Sequence, residues 1–305
     1  MDDSSLRLID VTLRDGGYRN NFDFSMKYVL EHATHIQESG CEYIEIGYRN
    51  GSVVPSPNMG LTGHGSNDYI RALKAALPKI KLVVIAHAAN IGDDDVREMA
   101  EAGVAMLRLC LNAGNIAETL RLARLARSVG MEVSCNVVRV SAIDLPTLGA
   151  LVAQLDAHRD VIDVVYFADS NGNLTPKAVQ EIAAEIRRHT PLPIGFHAHD
   201  NIGLAMANAI AAIDSGVTYI DASLLGMGKG IGNLKLEKWV ACLLRKGSKR
   251  YALLPILRAA RALRDSSSYT EDRGDYAADV LCGLYNYSFT DRQKAEAMLA
   301  GTPSA

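Results

Sequence analysis

The chain has 305 residues, of which 48% are hydrophobic and 22% charged, and its formal net charge is −3. This is the profile of a globular protein with enough apolar material for a large core. No basic block is present, which argues against a nucleic-acid partner, and no apolar run reaches the roughly 18–20 residues of a membrane span.

The opening MDDSSLRLID is acidic and polar, unlike a secretory leader. Five scattered cysteines, Cys41, Cys110, Cys135, Cys242 and Cys282, form no CxxC pair. They are expected as buried free thiols in a reducing, cytoplasmic setting.

Eight short apolar or β-branched runs recur at the scale of one βα unit. In chain order they are LRLIDVTL (6–13), YIEIGY (43–48), KLVVIAH (81–87), MLRLCL (106–111), EVSCNVVRV (132–140), DVVYFAD (163–169), PIGFHAH (193–199) and YIDASL (219–224). Most are near-continuous, as strands buried on both faces should be. Helical patterns separate them. The segment 113–130 carries one apolar stripe and closes on Gly130. Segment 175–190 starts with Thr175 as N-cap and Pro176 at the first helical position, and segment 201–216 again closes on glycine. Eight such units predict an α/β fold, a TIM (β/α)₈ barrel over residues 1–246, with a doubly wound open sheet as the alternative. Residues 247–305 read as a short C-terminal helical extension packed on the barrel.

Chemistry in such a barrel sits at the C-terminal ends of the strands. Those ends carry Arg14 and Asp15, Glu45, His87, Arg108, Asn136 or Arg139, Asp169 with Ser170, His197 and His199, and Asp221. Inward-pointing charges need pairing or a metal. His197 and His199, two apart on a strand, face the same side and suit one divalent cation, with a carboxylate from a neighbouring strand end. The competing reading is two histidines hydrogen-bonded within the barrel mouth. The run LLGMGKGIGN (224–233) spends Gly226, Gly228, Gly230 and Gly232 after the eighth strand. It reads either as a backbone cradle for an anion or as a flexible loop. Glu45 reads either as a ligand-site residue or as the counter-charge of a strand-end arginine, and Asp169 as a ligand contact or as the cap of the turn SNGN.

Taken together, TLRDGG, IEIG, FADSNG, FHAHDN and GMGKGIGN, in that order over residues 6–240, resemble the DRE-TIM metallolyase superfamily, with 4-hydroxy-2-oxovalerate aldolase as the nearest branch. That resemblance implies a TIM barrel with a divalent metal, Mn²⁺ or Mg²⁺ foremost and Co²⁺ or Zn²⁺ as alternatives. It implies Asp15, His197, His199 and Asn233 as the metal set, and Arg14 as the residue that holds an enolate. Glu45, Asp169, Gly228 and Gly230 are then candidates for substrate contact. The segment CGLYNYSFTDRQKAEA (282–297) resembles one that brings a tyrosine to the active site, which nominates Tyr285, then Tyr287.

One position departs from the pattern. The related aldolases keep a histidine shortly after the Arg-Asp pair, where this chain has Tyr18. A tyrosine with an ordinary pKa about 10 is a poor base near neutrality, so Tyr18 is expected to donate, and His87 or a metal-bound water becomes the candidate base. The expected reaction is C–C bond formation or cleavage between pyruvate enolate and an aldehyde. A Claisen-type enzyme using an acyl-CoA is the alternative, and it fits less well because such members carry an acidic or amide residue where Gly17-Tyr18 stands. The expected partners are a small 2-oxo acid and an aldehyde, together with a second copy of the chain in a homo-oligomer, a dimer being the simplest. The full C-terminal region that docks an aldehyde dehydrogenase in those aldolases is missing from the pattern, so that partner is not expected.

Overall fold

The computed structural model describes residues 4–53, 58–112, 114–269 and 276–300. Eight parallel strands close into a barrel in the order of the chain: β1 Arg7–Asp10, β2 Tyr43–Tyr48, β3 Lys81–His87, β4 Met106–Leu111, β5 Glu132–Val137, β6 Val164–Asp169, β7 Ile194–Ala198 and β8 Tyr219–Ala222. The expected barrel is borne out, and the doubly wound alternative falls because β8 pairs back onto β1 from Arg7 to Asp10. The predicted helices form over Ile116–Ser128, Pro176–His189 and Ala205–Asp214. Thr175 caps the second, accepting from the Ala178 N–H at 3.3 Å. Gly130 takes a left-handed φ of 87° just past the first, as a C-terminal glycine should. All five cysteines are free thiols. No helix among the described residues is long and apolar enough to cross a membrane.

Strand alternation sorts the side chains into two layers. In β4, Leu107, Leu109 and Leu111 pack outward beneath the helices, while Met106 joins Ile9, Val11, Tyr43, Val83, Val164 and Tyr166 in a plug inside the barrel. Above that plug the inward positions turn polar: Glu45, Arg108, Asn136, His197 and Asp221 are all buried. The sequence therefore fills the lower barrel with hydrocarbon and reserves the C-terminal end for charge.

β2 breaks strict alternation. Glu45 pairs with Val83, but Gly47 pairs with Val84, so the register skips Ile46. This bulge resets the parity of the strand. Tyr48, which period-2 reading from Glu45 sends outward, pairs with Ile85 and joins the inward cluster of Phe22 and Cys110.

The first strand ends sooner than the run LRLIDVTL suggests. After Asp10 the chain enters a helical turn, Thr12–Asp15, and then a 3₁₀ turn, Gly16–Arg19. Thr12 anchors the turn, donating to Asp10 at 2.5 Å and accepting from the Leu224 N–H at 2.9 Å. Strands five and eight likewise stop at Val137 and Ala222, so the loop residues that follow them are free to leave the sheet plane.

Beyond the barrel, helix Leu253–Asp265 packs on helix Met26–Glu38, and helices Tyr276–Leu284 and Arg292–Leu299 pack on each other. The latter pair is tied to the barrel mouth through Asn286, whose Oδ1 accepts from Ser141 Oγ at 2.9 Å and from Asn171 Nδ2 at 2.6 Å.

The β2 bulge depends on Gly47. Its φ is 154°, and a Cβ there would lie 2.0 Å from the backbone oxygen of Thr62. Gly47→Ala is expected to destabilise the protein by roughly 1–3 kcal/mol or more, the range for overpacking against atoms that cannot rotate away. A urea unfolding curve checks this; an unchanged midpoint would contradict it.

Candidate active site

Arg14 and Asp15 reach the barrel mouth by a route other than a glycine turn. Gly16 and Gly17 lie in a 3₁₀ turn, with Gly16 at φ −60°. The helical turn itself turns the neighbouring side chains toward one cavity, which a strand would not do. Gly17 matters for packing: a Cβ there would fall 2.2 Å from the ring of Phe22. The cavity, about 150 Å³, is lined by Arg14, Asp15, Tyr18, Tyr48, His87, His197 and His199, among others.

Beneath it runs an alternating chain of buried charges. Arg14 donates from Nε to Glu45 at 2.5 Å and from Nη1 to Asp15 at 2.5 Å. The other oxygen of Glu45 accepts from Arg108 at 3.0 Å. Arg108 also donates to Asp221 at 2.8 Å and stacks 4.2 Å above the Tyr166 ring. Asp221 then holds Nδ1 of His197 at 2.9 Å and accepts from the Tyr166 hydroxyl at 3.0 Å. Glu45 and Arg108 are fully buried, so neither charge is tolerable without its partners. Glu45 has both oxygens on arginines.

That chain sets the tautomer of His197. With Nδ1–H given to Asp221, Nε2 carries a lone pair. It lies 3.3 Å from Nε2 of His199, and Asp15 Oδ2 lies 3.9 Å and 3.8 Å from these two nitrogens. Metal–nitrogen bonds of about 2.0–2.1 Å at right-angled to tetrahedral geometry place neighbouring ligand atoms about 2.8–3.4 Å apart, so a small closure of Asp15 completes the set. Asp15, His197 and His199 are the group of described residues that offer metal-ligating atoms within 4.8 Å of one another.

Protonation fits the same use. Burial drives the His199 pKa down to about 3, against the pull of Asp15, so the ring is neutral at pH 7. Burial would raise the Asp15 carboxyl, but Arg14, His199 and His197 outweigh it and hold the group well below the usual carboxylate range. The chain of buried charges holds two guanidiniums, Arg14 and Arg108, and three carboxylates, Asp15, Glu45 and Asp221; Lys229 and Arg139 line the same cavity. Asn233 joins from the glycine loop. Its Nδ2 donates to Asp15 Oδ2 at 2.6 Å, while its buried Oδ1 has no hydrogen-bond partner. An orphaned acceptor beside this triad is what a fourth oxygen ligand requires.

The glycines of that loop serve Asn233. A Cβ on Gly228 would lie 2.4 Å from the Asn233 amide nitrogen. Neither Gly228 nor Gly230 lines the cavity; the Gly230 carbonyl instead accepts from Arg19 at 2.9 Å. Asp169 is fully buried and caps its own turn, accepting from the N–H groups of Asn173 at 3.0 Å and Leu174 at 3.1 Å. Burial raises its pKa to about 6 despite these donors.

Tyr18 lines the cavity, with its hydroxyl bonded to Tyr48 at 3.0 Å and to Ser52. Burial raises its pKa further, so it is a neutral donor. His87 stacks on Tyr48 with ring centroids 6.0 Å apart. Burial, reinforced by Arg14 and Lys229, lowers its pKa to about 4 and leaves a neutral imidazole facing the cavity. Tyr285 is 48% exposed, stacked on Tyr287, and outside the cavity lining. Tyr48 and Ser52 escape a sequence reading, the first because the bulge reverses its direction and the second because it lies in a loop.

Arg108→Met leaves Glu45 and Asp221 buried beside each other without their shared counter-charge. The expected cost is about 3–5 kcal/mol, the range for breaking a buried ion pair from one side. Urea unfolding at pH 7 measures it, and a loss under about 1 kcal/mol would contradict the buried-chain description.

Known proteins share this frame. A protein named 4-hydroxy-2-oxovalerate aldolase from Pelotomaculum thermopropionicum is 29% identical over 287 residues, covering 90% of this chain and 84% of that one. A protein named oxaloacetate decarboxylase from Mycobacterium tuberculosis is 29% identical over 243 residues, covering 79% and 70%. Among solved structures, the N-terminal domain of an aldolase candidate from Bacteroides vulgatus superposes with a TM-score of 0.83 at 28% identity, covering 97% of each chain. A family model described as HMGL-like matches residues 5–263. The chain belongs to the HMGL-like family, the metallolyase barrels that its motifs resemble.

Proposed function

We propose that this protein is a divalent-metal-dependent aldolase that cleaves or forms the C–C bond between pyruvate enolate and an aldehyde. The observation that carries this reading is the convergence of Asp15, His197 and His199 on one cavity with the Arg14 guanidinium. The names of the relatives agree with it. Aldol cleavage of a 4-hydroxy-2-oxo acid and decarboxylation of oxaloacetate both leave pyruvate enolate behind.

Asp15, His197, His199 and Asn233 would hold the cation, Mn²⁺ or Mg²⁺, which when bound supplies a Lewis acid for the 2-oxo and carboxylate oxygens. Arg14 is immobilised through Nε and Nη1 by Glu45 and Asp15, and its remaining N–H groups are offered to the oxygen on which enolate charge develops. Fixed donors of this kind lower the barrier because they need not reorganise. For cleavage, neutral His87 removes the proton from the substrate 4-hydroxyl. The C3–C4 bond breaks, its electron pair enters the enolate, and the aldehyde leaves. Tyr18, kept protonated by burial and held by Tyr48 and Ser52, then gives its proton to C3 of the enolate, which yields pyruvate, and the proton taken up by His87 is returned to the phenolate to close the cycle. Thus His87 takes the base's part and Tyr18 the acid's.

Pyruvate incubated with Mn²⁺-loaded protein in D₂O should exchange its methyl protons, followed by NMR, and Arg14→Ala and Asp15→Asn should each abolish the exchange. No metal-dependent exchange, with acetyl-CoA consumed alongside a 2-oxo acid, would instead mark a Claisen-type enzyme.

His87→Ala separates the proton transfers. It should lower cleavage of a 4-hydroxy-2-oxo acid by about 10²–10⁴-fold, the worth of a positioned base. Decarboxylation of oxaloacetate, which has no hydroxyl proton to lose, should fall far less. Equal losses in both reactions would remove His87 from the base's role.

A further inference from the structure

A histidine stands in the core where a hydrocarbon side chain would pack at less cost. The helix Met26–Glu38 buries Tyr28, Val29, His32, Ala33 and Ile36, spaced to form one face. His32 is fully buried among them. Its ring stacks on Tyr28 with centroids 5.8 Å apart, and its Nδ1 has no hydrogen-bond partner. A buried nitrogen left unpaired costs free energy. Against that cost the ring makes one hydrogen bond among the described residues, from Nε2 to Asp10 Oδ2 at 2.7 Å. A carboxylate only accepts, so Nε2 carries the proton.

Asp10 is the last residue of β1 and is itself fully buried. Its other oxygen accepts from the Thr12 hydroxyl at 2.5 Å, and Thr12 Oγ1 accepts from the Leu224 N–H at 2.9 Å. These bonds run as one thread from the helix, across the end of β1, to the start of the glycine loop. The thread passes through the turn Thr12–Asp15. A lone helical turn fixes several dihedral angles for few backbone bonds and is unstable by itself. No side chain caps its N-terminus. Its direction is therefore set by what grips it from outside, and Thr12 is gripped on both sides. The same turn carries Arg14 and Asp15, and the glycine loop carries Asn233, which donates to Asp15.

We propose that His32 is a positioning residue of this site: through Asp10 and Thr12 it fixes the turn that aims Arg14 and Asp15. None of His32, Asp10 and Thr12 lines the cavity, so the three act on the chemistry through that turn. The proposal rests on the pyruvate-enolate reading, which gives Arg14 and Asp15 their tasks. A looser turn moves the guanidinium away from the developing enolate charge. It also moves the Asp15 carboxylate away from the two histidines, which stand at the end of β7.

The test compares His32→Leu, which removes the donor, with His32→Gln, which keeps an N–H near the place of Nε2, and with Thr12→Val. Each variant is measured well below its own urea midpoint. Mn²⁺ affinity is read by electron paramagnetic resonance of the free ion, and methyl exchange of pyruvate at saturating Mn²⁺ by NMR. His32→Leu and Thr12→Val should each weaken Mn²⁺ about tenfold, the low end for an outer partner of a metal site. Each should lower the exchange kcat about tenfold or more, as a misplaced group does. KM should change less, because Arg14 acts on charge that develops in the transition state. His32→Gln should keep both quantities near wild type. The double variant of His32→Leu and Thr12→Val should be no worse than Thr12→Val, since the two act in series. His32→Leu leaves Asp10 buried without its donor. If that protein does not fold, His32→Leu added to Asp10→Asn and measured against Asp10→Asn carries the same prediction without a buried charge. Wild-type affinity and kcat in folded His32→Leu protein, whatever its urea midpoint, would make His32 a core residue alone and overturn the proposal. Losses that multiply in the double variant would do the same. Wild-type protein that binds Mn²⁺ without exchanging pyruvate would sink the pyruvate-enolate reading, while the Mn²⁺ affinities would still decide the part of His32. Wild-type protein that binds no Mn²⁺ would overturn both.

Discussion

The barrel mouth is organised by one electrostatic constraint: charges removed from water must find partners. Arg14, Glu45, Arg108, Asp221 and His197 meet it as a single file across the barrel, each touching the next. Such a chain gains little stability over a hydrocarbon core of the same volume. What it supplies is position. At one end it fixes a guanidinium with donors left over; at the other it fixes an imidazole by its far nitrogen and leaves the near one bare. The two ends meet again at Asp15, which accepts from Arg14 and faces both histidines. The guanidinium and the candidate metal site are thus one rigid object.

The rest of the fold serves that object. The hydrocarbon plug of Ile9, Tyr43, Val83, Met106, Val164 and Tyr166 closes the barrel below it, so the charges have water on one side only. The glycine loop brings Asn233 against Asp15, and the β2 bulge brings Tyr48 under Tyr18 and His87. His87 and Tyr18 share this aromatic wall in opposite roles: burial keeps the imidazole unprotonated and the phenol protonated. The proposed division of proton transfers follows from these two protonation states, a phenol that donates and, from the next strand but one, a neutral imidazole that accepts.

Much of this was legible in the sequence. Eight βα units predict the barrel because both faces of each strand are buried, and the HxH pair on β7 has the one spacing that puts two imidazoles on the same side. The polar strand ends also announce where the chemistry sits. What the sequence concealed has physical causes. Arg14 and Asp15 converge through a helical turn, where a strand reading needed the glycines to bend the chain. Tyr48 turns inward because a bulge, invisible to period-2 counting, skips Ile46. Glu45 and Asp169 each kept two readings in the sequence, and the structure shows the counter-charge and the turn cap: the first is engaged by two arginines and the second by backbone donors. The choice between readings for Glu45 depends on register, since Arg108 reaches it from β4.

The central claim is that this buried charge chain prepares a site for one divalent cation at Asp15, His197 and His199. Titration of metal-free protein with Mn²⁺, followed by electron paramagnetic resonance of the free ion, tests it most directly. The account predicts one tight Mn²⁺ per chain, with binding strongly weakened in Asp15→Asn and in His199→Ala. It also predicts a loss of about 10–100-fold in affinity in Asp221→Asn, since Asp221 holds His197 by its far nitrogen and is not itself one of the proposed ligands. Absence of a tight Mn²⁺, or binding indifferent to the Asp15 and His199 substitutions, would contradict it.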